Sequence, residues 1–162
     1  MRVAICSDTH VPAREPAIPE WVEAELVAAD HAIHAGDFEG SDTLERVREL
    51  GDGNLTAVRG NVDRTGTGLP RVATVELGGV TFVVTHGDRL RPYRRGLAEL
   101  ARERGGPDAV GVAGHTHQLL DTTVDGIRLL NPGSATGNRA TATTMLRAIA
   151  EDGTLDVTRL SR

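Results

Sequence analysis

Short apolar runs recur along the chain, and each breaks off at a cluster of glycine and polar residues. Residues 3–6 run into Ser7-Asp8-Thr9-His10, residues 31–35 into Gly36-Asp37, and residues 55–58 into Arg59-Gly60-Asn61. Residues 80–84 run into Thr85-His86-Gly87-Asp88, residues 109–113 into Gly114-His115-Thr116-His117, and residues 127–130 into Asn131-Pro132-Gly133-Ser134. Runs this short, rich in β-branched side chains and bounded by glycine, predict buried strands.

Helical periodicity falls between the early runs. Residues 19–29 carry Val22, Leu26 and Ala29 on one face, with Pro19 suited to the first turn. Ser41 is expected to cap a helix bearing Leu44, Val47 and Leu50, and residues 93–104 align Leu97, Leu100 and Ala101, with Arg102 and Arg104 near the negative end. Gly51 and Gly105 are natural stops. After residue 70 the pattern changes to paired strands: 72–77 with 80–85 through Gly78-Gly79, 118–124 with 127–130 through Asp125-Gly126, and 143–150 with 154–160 through Asp152-Gly153. Alternating β and α early and hairpins later predict mixed sheets with helices outside. With no linker or repeat in between, residues 1–162 are expected to form one domain.

Composition narrows the function. Aromatic residues are only 2% of the chain, so the core must be built from Val, Leu, Ile and Ala, and few platforms exist for stacking bases. All 18 basic residues are arginine; the net charge of −5 argues against stable nucleic-acid binding. The single cysteine, Cys6, excludes an intrachain disulfide and a thiolate zinc cluster. Without lysine there is no P-loop. No signal peptide precedes the first strand and no run reaches membrane-spanning length, so a cytoplasmic protein without membrane association is expected.

The polar clusters carry the chemistry. In parallel α/β sheets the carboxyl ends of strands line one crevice, so these clusters can meet there. Their side chains are carboxylates, imidazoles and a carboxamide, the donors that divalent transition metals take when sulfur is absent. Asp8-x-His10 and His115-x-His117 add i, i+2 pairs that share a face in a strand or converge in a tight loop.

The series Asp8-Thr-His10, Gly36-Asp37, Gly60-Asn61, His86-Gly87 and Gly114-His115-Thr-His117 resembles the calcineurin-like metallophosphoesterase family across nearly the whole chain. The spacing and the closing Asn131-Pro132-Gly133-Ser134-Ala135-Thr136-Gly137 resemble its small single-domain bacterial and archaeal phosphodiesterases, a branch to which the non-enzymatic vacuolar-sorting subunit of retromer is related. The resemblance implies a four-layered α/β/β/α sandwich with two mixed sheets. It implies that Asp8, His10 and His117 hold one metal, that Asp37 bridges, and that Asn61, His86 and His115 complete a second. Asp37, Asn61 and His86 are then the residues expected to carry catalysis. Manganese is the first expectation for both ions, ahead of nickel, iron, cobalt or zinc, with a metal-bridging hydroxide attacking a small phosphoester in line. Two divalent ions bring four positive charges and the two aspartates remove two, which leaves a surplus for an anionic substrate such as a nucleotide.

Val62 departs from the pattern, because many relatives carry a histidine after Gly-Asn. Its absence removes an obvious general acid, a contribution of about 10²–10⁴-fold, and favours diesters with good leaving groups. Arg59, Asp63 and Asp88 receive no catalytic role. His31 and His34 read as structural, His34 with the alternative of supporting a ligand. Residues 131–134 read as a Pro-Gly turn near the crevice, and Arg89, Arg91, Arg94 and Arg95 as a solvated helix start rather than a substrate patch. Against the phosphoesterase stands a scaffold like the retromer relative, which has no need of a complete ligand set. A nuclease would need a basic groove. Homo-oligomerisation stays open.

Overall fold

The computed structural model describes residues 1–137 and 141–162. Among the described residues, ten strands form two mixed sheets. The first contains β1 (Arg2–Cys6), β2 (His31–His34), β3 (Leu55–Ala57), β9 (Thr144–Glu151) and β10 (Thr154–Ser161), in the order β10-β9-β1-β2-β3. The second contains β4 (Val72–Leu77), β5 (Val80–Thr85), β6 (Val110–Val112), β7 (Leu120–Val124) and β8 (Ile127–Asn131), in the order β4-β5-β6-β8-β7. β1, β2 and β3 run parallel, as do β5, β6 and β8, while the hairpin strands pair antiparallel at the margins.

Strand alternation builds the layers. Val3 and Ile5 of β1 meet Val80, Phe82 and Val84 of β5 between the sheets, with Val110, Val112, Leu130 and Leu146. The intervening Ala4 and Cys6 face outward to Val22 and Leu26 of α1 (Glu20–Val27) and to Leu44 and Val47 of α2 (Ser41–Leu50). Val83 on the outer face of the second sheet packs on Leu97, Ala98 and Ala101 of α3 (Tyr93–Gly105). Helices thus cover both outer faces, giving the expected α/β/β/α sandwich. Phe82 is fully buried at its centre, where truncation to alanine removes about 3–5 kcal/mol. Cys6 is buried, and desolvation raises its thiol to about 12, so it is inert packing.

The three hairpin turns take the left-handed pair of conformations that suits strand twist, as at Asp125 (φ 50°) and Gly126 (φ 83°). Two helix termini differ from the sequence expectation. Ser41 is the first helical residue and Gly40 occupies the cap; the Ser41 hydroxyl lies against Asp42, 3.3 Å away, and caps nothing. The first helix stops at Val27, because Ala28 closes the last turn onto Ala24 and Asp30 must donate to Arg2 as β2 begins. Among the described residues no helix is long and apolar enough to cross a membrane.

The carboxyl ends of the two parallel strand sets lie at the same margin and are tied together there. Ala135 N–H donates to Ser7 O at 2.9 Å across the sheets, Asp8 N–H to Gly36 O at 3.0 Å, and Gly114 N–H to His86 O at 3.0 Å. Every polar cluster read from the sequence arrives at this margin.

Candidate metal centre

The crevice is shaped by unusual backbone. Asp8, His10, Asp37, His115 and His117 all have positive φ, between 47° and 69°. Non-glycine residues rarely adopt this region, and asparagine, aspartate and histidine are the most frequent when they do. The i, i+2 pairs therefore converge through tight turns after their strands, not by strand alternation. Glycine supplies the remaining space. A Cβ at Gly60 would lie 1.9 Å from Asp37 Oδ1, and one at Gly114 would lie 2.0 Å from Ser7 Oγ.

All seven candidate ligands meet. His117 Nε2 lies 3.1 Å from Asp8 Oδ1 and 3.3 Å from His10 Nε2. His10 Nε2 lies 3.7 Å from Asp37 Oδ2, which in turn is 3.2 Å from His86 Nε2. Asn61 Oδ1 sits between His86 Nε2 at 3.0 Å and His115 Nδ1 at 3.1 Å. Donor atoms of Asp8, His10 and His117 lie within 4.8 Å of one another, as do those of Asp8, Asp37 and His86.

Four of the candidate ligands are held by an atom that does not face the centre. Asp8 Oδ2 accepts from the Ser7 hydroxyl at 2.6 Å and from His115 N–H at 3.1 Å. Asp37 Oδ1 accepts from Val62 N–H at 3.1 Å. His86 Nδ1 lies 2.8 Å from Ala35 O and His10 Nδ1 lies 3.2 Å from Glu39 Oε2, contacts that require a proton on Nδ1 and leave an Nε2 lone pair pointing inward. The centre therefore collects acceptors that repel one another. Its clearest sign is Asp8 Oδ1, fully buried and without a hydrogen-bond donor. A buried unpaired carboxylate oxygen costs several kcal/mol unless a cation meets it, so the donor set fits divalent metal ions.

Electrostatics agree. Burial pushes the proton affinity of His86 down, but the hydrogen bond it can donate to Asp37 and the charges of Asp8 and Asp37 outweigh it and raise the pKa. Burial raises and the His86 contacts lower the Asp37 carboxyl, for a net depression. His10 is lowered, first by burial and then by the nearby Arg14 charge.

Some contributors escaped the sequence reading. Asp63 has no place among the ligands, yet its buried carboxylate accepts from Gly60 N–H at 2.8 Å, Asp37 N–H at 2.9 Å and Glu39 N–H at 2.8 Å, locking two ligand loops together. Glu39 orients His10. Asn131 Nδ2 reaches Gly114 O at 2.9 Å and Thr116 Oγ1 at 3.0 Å, while Ser134 Oγ donates to Asp8 O at 2.8 Å. The 131–134 turn thus buttresses the centre. His34 is fully buried and stacked on Phe38 at 3.6 Å, and its Nδ1 accepts from Gly36 N–H at 3.1 Å. Desolvation lowers its pKa to about 4, so it is a neutral structural residue. His31 pairs with Thr56 Oγ1 at 2.8 Å, away from the crevice. Of the arginines in and before the start of α3, Arg95 pairs with Glu99 and Arg89 lies 3.9 Å from Asp88, as a solvated helix start would. Arg94 instead borders a groove with Thr116 and Gln118.

Comparison with known proteins agrees with this geometry. Residues 1–153 match the model of the calcineurin-like phosphoesterase superfamily domain. A protein of Methanocaldococcus jannaschii named a probable metallophosphoesterase is 33% identical over 154 residues, covering 94% of this chain and 77% of its own. A phosphodiesterase of the same organism is 28% identical over 152 residues, covering 85% of this chain and 86% of its own. The crystal structure of a single mutant of Vps29 from Entamoeba histolytica superimposes with a TM-score of 0.82 at 26% identity, covering 100% of this chain and 99% of that one. With its family model covering nine of the ten described strands and every candidate ligand, the chain belongs to the calcineurin-like phosphoesterase superfamily.

Proposed function

We propose that the chain is a two-metal phosphodiesterase acting as one domain on small phosphoesters such as nucleotides. Asp8, His10 and His117 would hold one ion, Asn61, His86 and His115 the other, and Asp37 would serve both. The observation that carries this reading is the buried, donorless Asp8 Oδ1 at the focus of inward-facing imidazole nitrogens. A protein-interaction module has no use for that arrangement, although Vps29 shares the fold.

Bound in this site, divalent ions polarise the phosphoryl group and lower the pKa of water at neutral pH. The chain's own residues do the rest. Asp8 and Asp37 contribute the two negative charges, and neutral Asn61 and the imidazoles leave the site cationic toward an anionic substrate. Ala35 O and Glu39 fix the tautomers of His86 and His10, so both present Nε2 without rearrangement. Val62, at the position of the missing histidine, serves through its backbone N–H on Asp37. Donors limited to nitrogen and oxygen suit manganese first, then nickel, iron, cobalt or zinc. The likeness to the M. jannaschii phosphodiesterase supports the diester preference, and cytoplasmic placement completes the proposal.

The test is hydrolysis of bis-p-nitrophenyl phosphate and p-nitrophenyl phosphate by metal-stripped protein, with Mn²⁺, Ni²⁺, Zn²⁺ or Mg²⁺ restored singly. Metal-dependent turnover favouring the diester is expected. Two bound ions by calorimetry without turnover of either ester would transfer the reading to a scaffold like Vps29.

A further inference from the structure

The imidazoles near the crevice differ in which nitrogen they turn to the protein. His86 donates from Nδ1 to Ala35 O at 2.8 Å and turns Nε2 to the centre, 3.2 Å from Asp37 Oδ2 and 3.0 Å from Asn61 Oδ1. His34 has the reverse polarity. Its Nδ1 accepts from Gly36 N–H at 3.1 Å, so the ring proton sits on Nε2, facing Thr9 Oγ1 at 3.4 Å. The first contact is a firm hydrogen bond and the second is long for one. Fully buried, stacked on Phe38 and kept neutral by desolvation, the ring offers the chain one bare acceptor.

Gly36 N–H and Ala35 O belong to the same peptide unit. That unit is planar and turns only as a whole, so an acceptor at one end fixes the direction of the carbonyl at the other. His34 and His86 therefore grip one peptide from its two ends. The two bonds polarise it in the same sense, and each strengthens the other. There is little slack around it. A Cβ at Gly36 would lie 2.7 Å from Gly60 N and 3.0 Å from His86 Nδ1, and Gly36 stands at φ 94° just beyond the end of β2. The flanking groups are anchored to β1 and its loop, Ala35 N–H to Cys6 O at 2.9 Å and Gly36 O from Asp8 N–H at 3.0 Å. With an apolar side chain at position 34, the buried N–H would lose this acceptor. The peptide would then rotate toward another, carrying the carbonyl away from His86.

We propose that His34 is the positioning residue of His86: through the Ala35–Gly36 peptide it sets the direction of the nitrogen that His86 presents to the second ion. This rests on the two-metal reading above and specifies how one half of that site is held. His10 is backed by Glu39 and does not share this peptide, so the effect is confined to the second ion.

The experiment titrates Mn²⁺ by calorimetry into metal-stripped wild-type, H34L and H34N protein. Leucine fills much of the ring's volume and accepts nothing, whereas asparagine is smaller but places Oδ1 where Nδ1 stands. Both variants disturb the packing on Phe38, and only H34L withdraws the acceptor. H34L should bind one of its two ions about tenfold more weakly, the worth of one hydrogen bond to a buried group, while H34N stays within about threefold of wild type. In an H115A background, which lacks a ligand of the second ion, adding H34L should leave the affinity of the remaining ion within about twofold. Melting curves in EDTA show that each variant is folded. Ring ¹⁵N spectra of the metal-free wild type should give the Nε2–H tautomer at His34 and the Nδ1–H tautomer at His86, a readout that stands even if H34L does not fold. Equal losses in H34L and H34N, no loss in H34L, a further loss on H115A, or an Nδ1–H tautomer at His34 would overturn the inference while leaving two bound ions in place. No Mn²⁺ bound by wild type would instead remove the two-metal reading, and this inference with it.

Discussion

Replacing Asp8 by asparagine should make the metal-free protein more stable and the metal-loaded protein less so. Carboxylate oxygens of Asp8 and Asp37 lie within 4.8 Å of each other in a buried site. At an effective dielectric of about 20, that separation corresponds to roughly 3–4 kcal/mol of repulsion. An asparagine oxygen can keep the hydrogen bonds from the Ser7 hydroxyl and His115 N–H, and its NH₂ then faces His117 Nε2 and His10 Nε2, both acceptors. Allowing for weaker hydrogen bonds to a neutral oxygen, the net gain is about 1–3 kcal/mol. In a chain of this length each kcal/mol moves the thermal midpoint by about 2–4 °C. Melting curves in EDTA at pH 8 should therefore place D8N above wild type. With Mn²⁺ at 100 times the wild-type Kd, the wild type gains about 2.7 kcal/mol by mass action, and D8N gains far less, so the order reverses. If D8N melts below wild type in EDTA, or keeps the full metal-induced shift, the account of Asp8 as an unmet buried charge awaiting a cation is wrong.

Asp63→Asn puts an NH₂ against at least one of three backbone N–H groups, and metal affinity measured by calorimetry should fall about 10–100-fold. Gly60→Ala places a Cβ 1.9 Å from Asp37 Oδ1, so bound metal should be lost together with turnover even if the protein folds. Glu25 is held below the usual carboxylate range, first by the hydrogen bond from Arg147, against burial, and with help from Arg2. That stability is present above the unfolded pKa of about 4.3 and is lost as pH falls through the folded value; urea unfolding of E25Q should show a deficit of about 1 kcal/mol at pH 7 that vanishes near pH 3. His31→Ala loses the Thr56 hydrogen bond away from the crevice, and kcat with saturating Mn²⁺ should stay within a factor of two or so of wild type.

The elements legible in the sequence were those whose local chemistry has one solution. Gly78-Gly79, Asp125-Gly126 and Asp152-Gly153 marked hairpins because both turn positions need positive φ. The seven candidate ligands were readable because metal donors are few and their clusters end strands. The four-layer architecture came from family resemblance; the strand order, with β9 returning beside β1, lies in long-range pairing that no local pattern encodes. Asp63 was passed over because its work is to accept backbone N–H groups, which carry no side-chain signature. Ser41 misled for a related reason: serine suits a cap or a first helical turn, and the approach of Val11 O to Thr43 Oγ1 at 2.8 Å fixes the entry one residue earlier.

The left-handed backbone at Asp8, His10, Asp37, His115 and His117 also constrains how this crevice can evolve. Asparagine is the side chain best tolerated there after glycine, and the codons of aspartate, histidine and asparagine differ only in their first base. Single-nucleotide changes can therefore exchange donors at these positions while every loop keeps its shape. A lineage can retune or abandon its metals by drift through neighbouring codons and still inherit an intact crevice, ready for a different occupant.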